Sequence, residues 1–195
     1  MDIVIATNNK DKVREYKKIL KDFDINLLTL SDLNINCDPE ENGNSFMENA
    51  LIKAQAIANF TDKVVVADDS GLVVDAFPDL LGIYSHRFFG DTTYPEKCNE
   101  IIRMLEDKDN RKARFVCRIA VVNLTKEPLF FEGIIEGSIG YQYIGNNGFG
   151  YDPIFIPDGY DITTAQMSDE EKHAISHRGQ AGRKMAEFFN KYVNK

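Results

Sequence analysis

No run of apolar residues in this sequence is long enough to span a bilayer, and no basic segment followed by an apolar one opens it. Both lacks point to a soluble, cytoplasmic protein. Cysteine is scarce: Cys37, Cys98 and Cys117 are odd in number, widely spaced, and part of no Cys-x-x-Cys or Cys/His cluster. That argues against a disulfide framework or a zinc site and fits single thiols in a reducing compartment. Bases are outnumbered, 23 against 31 acids, for a net charge of -8. A nucleic-acid coat or a membrane-surface protein would want a basic face, so neither partner is expected. A local basic pocket for a phosphorylated small molecule stays open. Repeats, low-complexity tracts and linkers are also lacking.

What remains is 195 residues, 43% hydrophobic and 28% charged. This is enough chain for one domain with a proper core. Ile3-Val4-Ile5-Ala6 reads as a central strand. After the polar stretch Thr7 to Lys12, Val13, Tyr16, Ile19, Leu20 and Phe23 recur at helical spacing. Ile25 to Leu30 is a weak strand, and residues 31–44 are a polar loop. Ser45 and Glu48 form a capping-box pattern before a helix reaching about Phe60. Val64-Val65-Val66-Ala67 is a buried strand that ends in Asp68-Asp69-Ser70-Gly71. Leu72 to Ala76 is apolar again and Phe77 to Gly90 loop-like. A helix starts at Tyr94-Pro95-Glu96, and a strand runs from Phe115 to Val121 with a partner at Leu129 to Ile135. A Gly/Asn loop covers Gly145 to Gly150, Ile154-Phe155-Ile156 is a short strand, and Ser168 and Glu171 cap a short helix. Ala181, Met185, Phe188, Phe189 and Tyr192 stripe a last helix. A βα opening followed by adjacent strands favours α/β or α+β around a mixed sheet.

Four stretches carry chemistry. Thr7-Asn8-Asn9-Lys10-Asp11-Lys12 joins a strand to a helix, where free N–H groups, the helix dipole and two lysines suit a phosphate. It has no glycine pattern of a Walker loop, and for the stretch taken alone an ordinary polar cap with surface lysines is the favoured reading. Asp68 and Asp69, with Glu40 and Glu41, are oxygen donors without Cys or His. That set suggests Mg²⁺ shared with substrate phosphates, against a turn closing a hairpin and a solvated loop. Gly148-Phe149-Gly150-Tyr151-Asp152-Pro153 lets backbone approach a flat ligand while a ring stacks on it, or is a glycine turn with Phe149 in the core. Lys172, His173, His177 and Arg178 could read the carbonyl oxygens of a base, or be a solvated helix end.

Together with the Phe46–Ala50 segment, Thr7 to Lys12, Ala67 to Leu72, Gly148 to Pro153 and Ser176-His177-Arg178-Gly179 make the sequence similar to the inosine triphosphate pyrophosphatase family. These enzymes act on the noncanonical purine nucleotides dITP, ITP and XTP. The motifs stand in family order across almost the whole chain. The resemblance implies one domain over residues 1–195, an elongated two-lobed α/β fold around a central mixed sheet, a cleft between the lobes, Mg²⁺ dependence and usually a homodimer. It makes Asp69 the general base and a metal carboxylate, with Glu40 or Glu41 as the second. It gives Thr7, Asn8, Asn9, Lys10, Asp11, Lys12 and Lys53 to the triphosphate, and Ser70 to substrate beside Asp69. Phe149, Gly150, Tyr151 and Asp152 would line the base pocket, with Lys172, His177 and Arg178 facing the purine edge. Asn8 departs from the glycine common in relatives, and His86 is given no role. Asp68 is expected to hold a turn or support Asp69. A pyrophosphatase for modified pyrimidine nucleotides is the nearest enzyme rival. A nucleotide sensor without hydrolysis is the rival of another class, disfavoured by the Asp68-Asp69 pair.

Overall fold

The computed structural model describes residues 1–193. The elements follow in the order β1 (Asp2–Ile5), α1 (Lys10–Ile19), β2 (Asn26–Thr29), α2 (Phe46–Ala58), β3 (Val64–Val74), α3 (Tyr94–Met104), β4 (Lys112–Val122), β5 (Leu129–Ile139), β6 (Phe155–Pro157), α4 (Asp169–Ile175) and α5 (His177–Val193). Six strands form one sheet in the order β2-β1-β3-β4-β5-β6. It is mixed, because β1 pairs in parallel with β2 and β3 while β5 and β6 are antiparallel. The α/β expectation with a mixed sheet therefore holds.

The chain divides into two compact units. The first takes Met1–Asp69, Cys117–Gly133 and the chain from Arg178 onward; the second takes Ser70–Val116 and Ile134–His177. In the first unit, apolar side chains gather in two clusters. Ile3, Ile5, Val66 and Cys117 pack with Tyr16 of α1 and Met185 and Phe189 of α5. Val4, Val65 and Ala67 pack with Ala50, Ala54 and Ile57 of α2. This is the two-residue alternation of a strand covered on both faces. The second unit has its own core of Leu72, Val74, Ile101, Leu105, Phe115, Ile139, Tyr151, Ile154 and Phe155.

Two expectations need correction. Helix α1 stops at Ile19, where Leu20 caps it, rather than running to Phe23. More consequential, β3 does not end at the aspartates: it runs eleven residues, straight through Asp68-Asp69-Ser70-Gly71. Aspartate is a poor strand residue, but here each carboxylate has a cationic partner, and that pairing overrides local preference.

Candidate active site

Position in β3 decides what each aspartate meets. Successive strand residues point to opposite faces. Asp68 shares the face of Val66, toward α1 and α5, and Asp69 shares that of Val65 and Ala67, toward α2.

On the α1 side, the first turn is built by its own side chains. Asn9 caps the helix, its Oδ1 accepting from the Asp11 and Lys12 amides at 2.9 and 3.2 Å, while Thr7 Oγ1 accepts from the Asn9 amide at 3.1 Å. Asn9 is thus the N-cap. Lys10 and Asn8 are exposed, and Asp11 turns outward to Arg14 at 3.0 Å. Lys12 turns inward: its Nζ lies 3.1 Å from Asp68 Oδ2 and 3.3 Å from the Asp68 carbonyl. The same carboxylate is held by Arg178 Nη2 at 3.1 Å, and Arg178 Nη1 binds Glu15 Oε2 at 2.5 Å. Lys12, Arg178, Asp68 and Glu15 form a cluster of two cations and two anions, all buried except the partly exposed Lys12. Burial alone would raise the Asp68 carboxyl, yet the charges of Lys12, Arg178 and Lys53 hold it well below the usual carboxylate range.

On the α2 side, Lys53 Nζ sits 3.1 Å from Asp69 Oδ1 and 3.3 Å from Glu41 Oε1. Asn49, 2% exposed, donates from Nδ2 to Asp69 Oδ2 at 3.3 Å and accepts the Gly43 amide at 2.9 Å on its Oδ1. One amide therefore ties the loop carrying Glu41 to the Asp69 carboxylate. Burial, helped by the Glu41 charge, pushes the Asp69 carboxyl up from its ordinary range against the attraction of Lys53 and Lys12. A raised carboxyl is a better proton acceptor than an ordinary aspartate. Burial disfavours the Lys53 ammonium, but Asp69, Asp68 and Glu41 outweigh it and raise its pKa. Of the two candidate glutamates, Glu41 is brought to Asp69 and Glu40 lies exposed on the loop. Glu41 and Asp69 already share one cation, the lysine. Two hard oxygen donors facing a shared positive charge fit Mg²⁺, which keeps much of its water and takes phosphate oxygens besides. Among the described residues no group of three or more His, Cys, Asp or Glu side chains is gathered to hold a metal.

In the second unit the glycine loop and α4 meet. Asp152 is 3% exposed. Its Oδ2 accepts from the Phe149 amide at 2.8 Å and from Lys172 Nζ at 2.6 Å, and Lys172 lies 5.2 Å from the centre of the Phe149 ring. Phe149 is half-buried, with Gly148 and Gly150 at φ 72° and 65° on either side. Half-buried Ser70 follows Asp69 directly in β3. The three other residues expected at the base pocket each have protein partners of their own. Tyr151 is in the core, its hydroxyl donating to the Ser85 carbonyl at 2.5 Å and its ring edge-on to Tyr94. His177 is buried and stacks on Phe115 at 4.9 Å. Arg178 is paired with the Glu15 and Asp68 carboxylates in the first unit, charge-assisted contacts that fix its guanidinium.

Three contributors escaped the sequence reading. Asn49 leaves a faint trace, a polar residue on the apolar stripe of α2. Glu15 hides among Arg14, Lys17 and Lys18, and Thr164, which binds Asp152, has no sequence signal at all.

A strand-to-helix turn with lysines, beside two carboxylates sharing a lysine, defines an α/β enzyme that handles phosphorylated ligands. The comparisons with known proteins narrow this class. The profile of the Ham1 family matches residues 3–188. A dITP/XTP pyrophosphatase of Listeria monocytogenes is 40% identical over 196 residues, covering 99% of this chain and 97% of that protein. One from Clostridium perfringens is 43% identical over 192 residues, covering 93% and 94%. The solved structure of the Staphylococcus aureus Ham1 protein superposes with a TM-score of 0.87 at 38% identity, covering 98% of this chain and 99% of the other. A HAM1 protein from Coxiella burnetii gives 0.88 at 37%, with the same coverage. The chain belongs to the Ham1 family, and the resemblance drawn from its motifs is borne out.

Proposed function

We propose that this protein hydrolyses noncanonical purine nucleoside triphosphates, dITP, ITP and XTP, to the monophosphate and pyrophosphate, keeping them out of DNA and RNA. The observation that carries the reading is the Glu41–Lys53–Asp69 cluster, in a chain about 40% identical to named dITP/XTP pyrophosphatases over nearly its whole length.

Asp69 orients the attacking water and accepts its proton, a role supported by burial that raises its carboxyl. Lys53 and Lys12, with Lys10 at the exposed turn, offset the charge that grows on the departing pyrophosphate. Thr7, Asn8, Asn9 and the start of α1 take the triphosphate, with Asn9 serving first as the cap that shapes the turn. Glu41 and Asp69 would hold Mg²⁺. Bound there, Mg²⁺ would lower the pKa of water and neutralise phosphate charge. Phe149 stacks on the base. Lys172 donates to the 6-oxo group that hypoxanthine and xanthine have and adenine lacks. A donor left facing adenine's amino group costs about 1–3 kcal/mol, which is the source of selectivity. A homodimer, and a cytoplasmic setting without nucleic acid or membrane, belong to the same reading. No helix among the described residues is long and apolar enough to cross a membrane.

Pyrophosphate release from ITP, XTP, GTP and ATP, with and without Mg²⁺ and after EDTA, tests the proposal. Fast, Mg²⁺-dependent release from ITP and XTP and slow release from ATP is expected. Equal kcat/KM for ATP and ITP would overturn the selectivity, and binding without hydrolysis would favour a sensor.

A further inference from the structure

Resting on the base-recognition reading above, we propose that Thr164 is a positioning residue for substrate selectivity, pinning Asp152 so that Lys172 and the Phe149 backbone are held ready for the base.

The Asp152 carboxylate has its two oxygens employed differently. Oδ2 takes the Phe149 amide and the Lys172 ammonium, while Oδ1 is met by Thr164 Oγ1 at 2.9 Å. The same hydroxyl lies 3.1 Å from the Asp152 carbonyl. A carboxylate turns about its last bond through a broad, shallow minimum. Thr164 anchors the oxygen that faces away from the recognition groups and so fixes the plane of the one that faces them. The hydroxyl is itself held firmly. Thr164 opens a short 3-10 turn, Thr164–Gln166, closed by a reciprocal cap between Thr163 and Gln166. The Ala165 carbonyl accepts the Asn147 amide at 3.0 Å, and Asn147 Nδ2 donates to the Met167 carbonyl at 2.8 Å. The turn packs so closely on the glycine loop that a Cβ on Gly145 would lie 2.5 Å from the Ala165 carbonyl group. On the other side a Cβ on Gly148 would lie 2.1 Å from Asp152 Oδ2, so the loop closes tightly over the carboxylate.

Without the hydroxyl, a buried carboxylate oxygen loses its donor and the group reorients to recover one. Lys172 and the Phe149 amide then lose their fixed partner. Stacking and reading of the base weaken, whereas the chemistry at Asp69 is untouched.

The test compares Thr164→Val, which keeps the shape, with Thr164→Ser, which keeps the hydroxyl. With ITP, Thr164→Val should raise KM by about tenfold, change kcat less than about twofold, and shrink the ITP-over-ATP ratio of kcat/KM in proportion. Thr164→Ser should stay close to wild type in all three. If Thr164→Val does not fold, Thr164→Ala is judged by the same criteria. An unchanged KM and ratio, an equal loss for ATP and ITP, or a Thr164→Ser variant as impaired as Thr164→Val would overturn the assignment. A wild-type enzyme that does not prefer ITP to ATP instead defeats the base-recognition reading beneath it, and this inference with it.

Discussion

Replacing Asp68 with asparagine should cost the protein much of its stability. Asp68 has a side chain 0% exposed and lies at the centre of four charges, three of them buried, with Lys12 and Arg178 each 3.1 Å away and Glu15 on the far side of Arg178. The substitution keeps the shape and deletes one of two negative charges. Within the cluster the buried Arg178 and the partly exposed Lys12 are left with Glu15 as the remaining carboxylate. Breaking a buried ion pair in this way costs about 3–5 kcal/mol, against a total stability of about 5–15 kcal/mol. For a chain of this size each kcal/mol moves Tm by about 2–4 °C, so a fall of about 6–20 °C is expected in thermal melts near neutral pH. Adding Arg178→Met should recover part of the loss, and a cycle of both variants should show a coupling of at least about 1 kcal/mol. The sign of the acid response follows from the depressed Asp68 carboxyl. The unfolded chain takes up this proton near the ordinary value of 3.8, whereas the folded chain resists it. Stability from Asp68 is therefore complete above about pH 4 and is lost as pH falls below that, and Asp68→Asn should flatten that acid slope. A variant that melts within about 2 °C of wild type, or that keeps the full acid slope, would refute the claim that the cluster is a stabilising unit.

Two further outcomes follow from the same geometry. Asp69→Asn should cut kcat by roughly 10²–10⁴-fold while Tm stays near wild type, since Glu41 still balances Lys53; pyrophosphate release and a thermal melt decide it, and near-normal turnover removes Asp69 from the chemistry. Cys117, pushed up to about 12 by burial with help from Asp68, should resist iodoacetamide at about pH 8 while half-buried Cys37 reacts; mass spectrometry of native and unfolded protein reads this, and early labelling of Cys117 would contradict it.

Much of the fold was legible because its signals are local. Alternating and helical apolar spacing marks β1, α1, α2, β4 and α5, and the Ser168/Glu171 capping box forms as read. The Ser45/Glu48 box forms only in part: Ser45 Oγ accepts the Glu48 amide, but the Glu48 carboxylate reaches on to the Asn44 amide. The end of β3 was misread for a clear reason. Asp-Asp-Ser-Gly looks like a turn when each aspartate is taken as an unpaired charge, and the partners that keep it in the sheet lie at Lys12, Lys53 and Arg178.

The sequence by itself determined the class of fold, the strand-to-helix turn, the acidic pair on β3 and the aromatic glycine loop, because each is written within a few adjacent residues. Only the tertiary structure decided which carboxylate does what. Asp68 and Asp69 are neighbours with the same chemistry, and the pleat sends one to a buried ion cluster with Arg178 and the other to Lys53 and Glu41. It also gave Arg178 to Glu15 and Asp68 and the Tyr151 hydroxyl to the Ser85 carbonyl, and supplied Asn49, Glu15 and Thr164 as partners. Polar and charge pairing across 12 to 163 residues of sequence has no periodicity to read, since it depends on where the folded backbone brings each side chain.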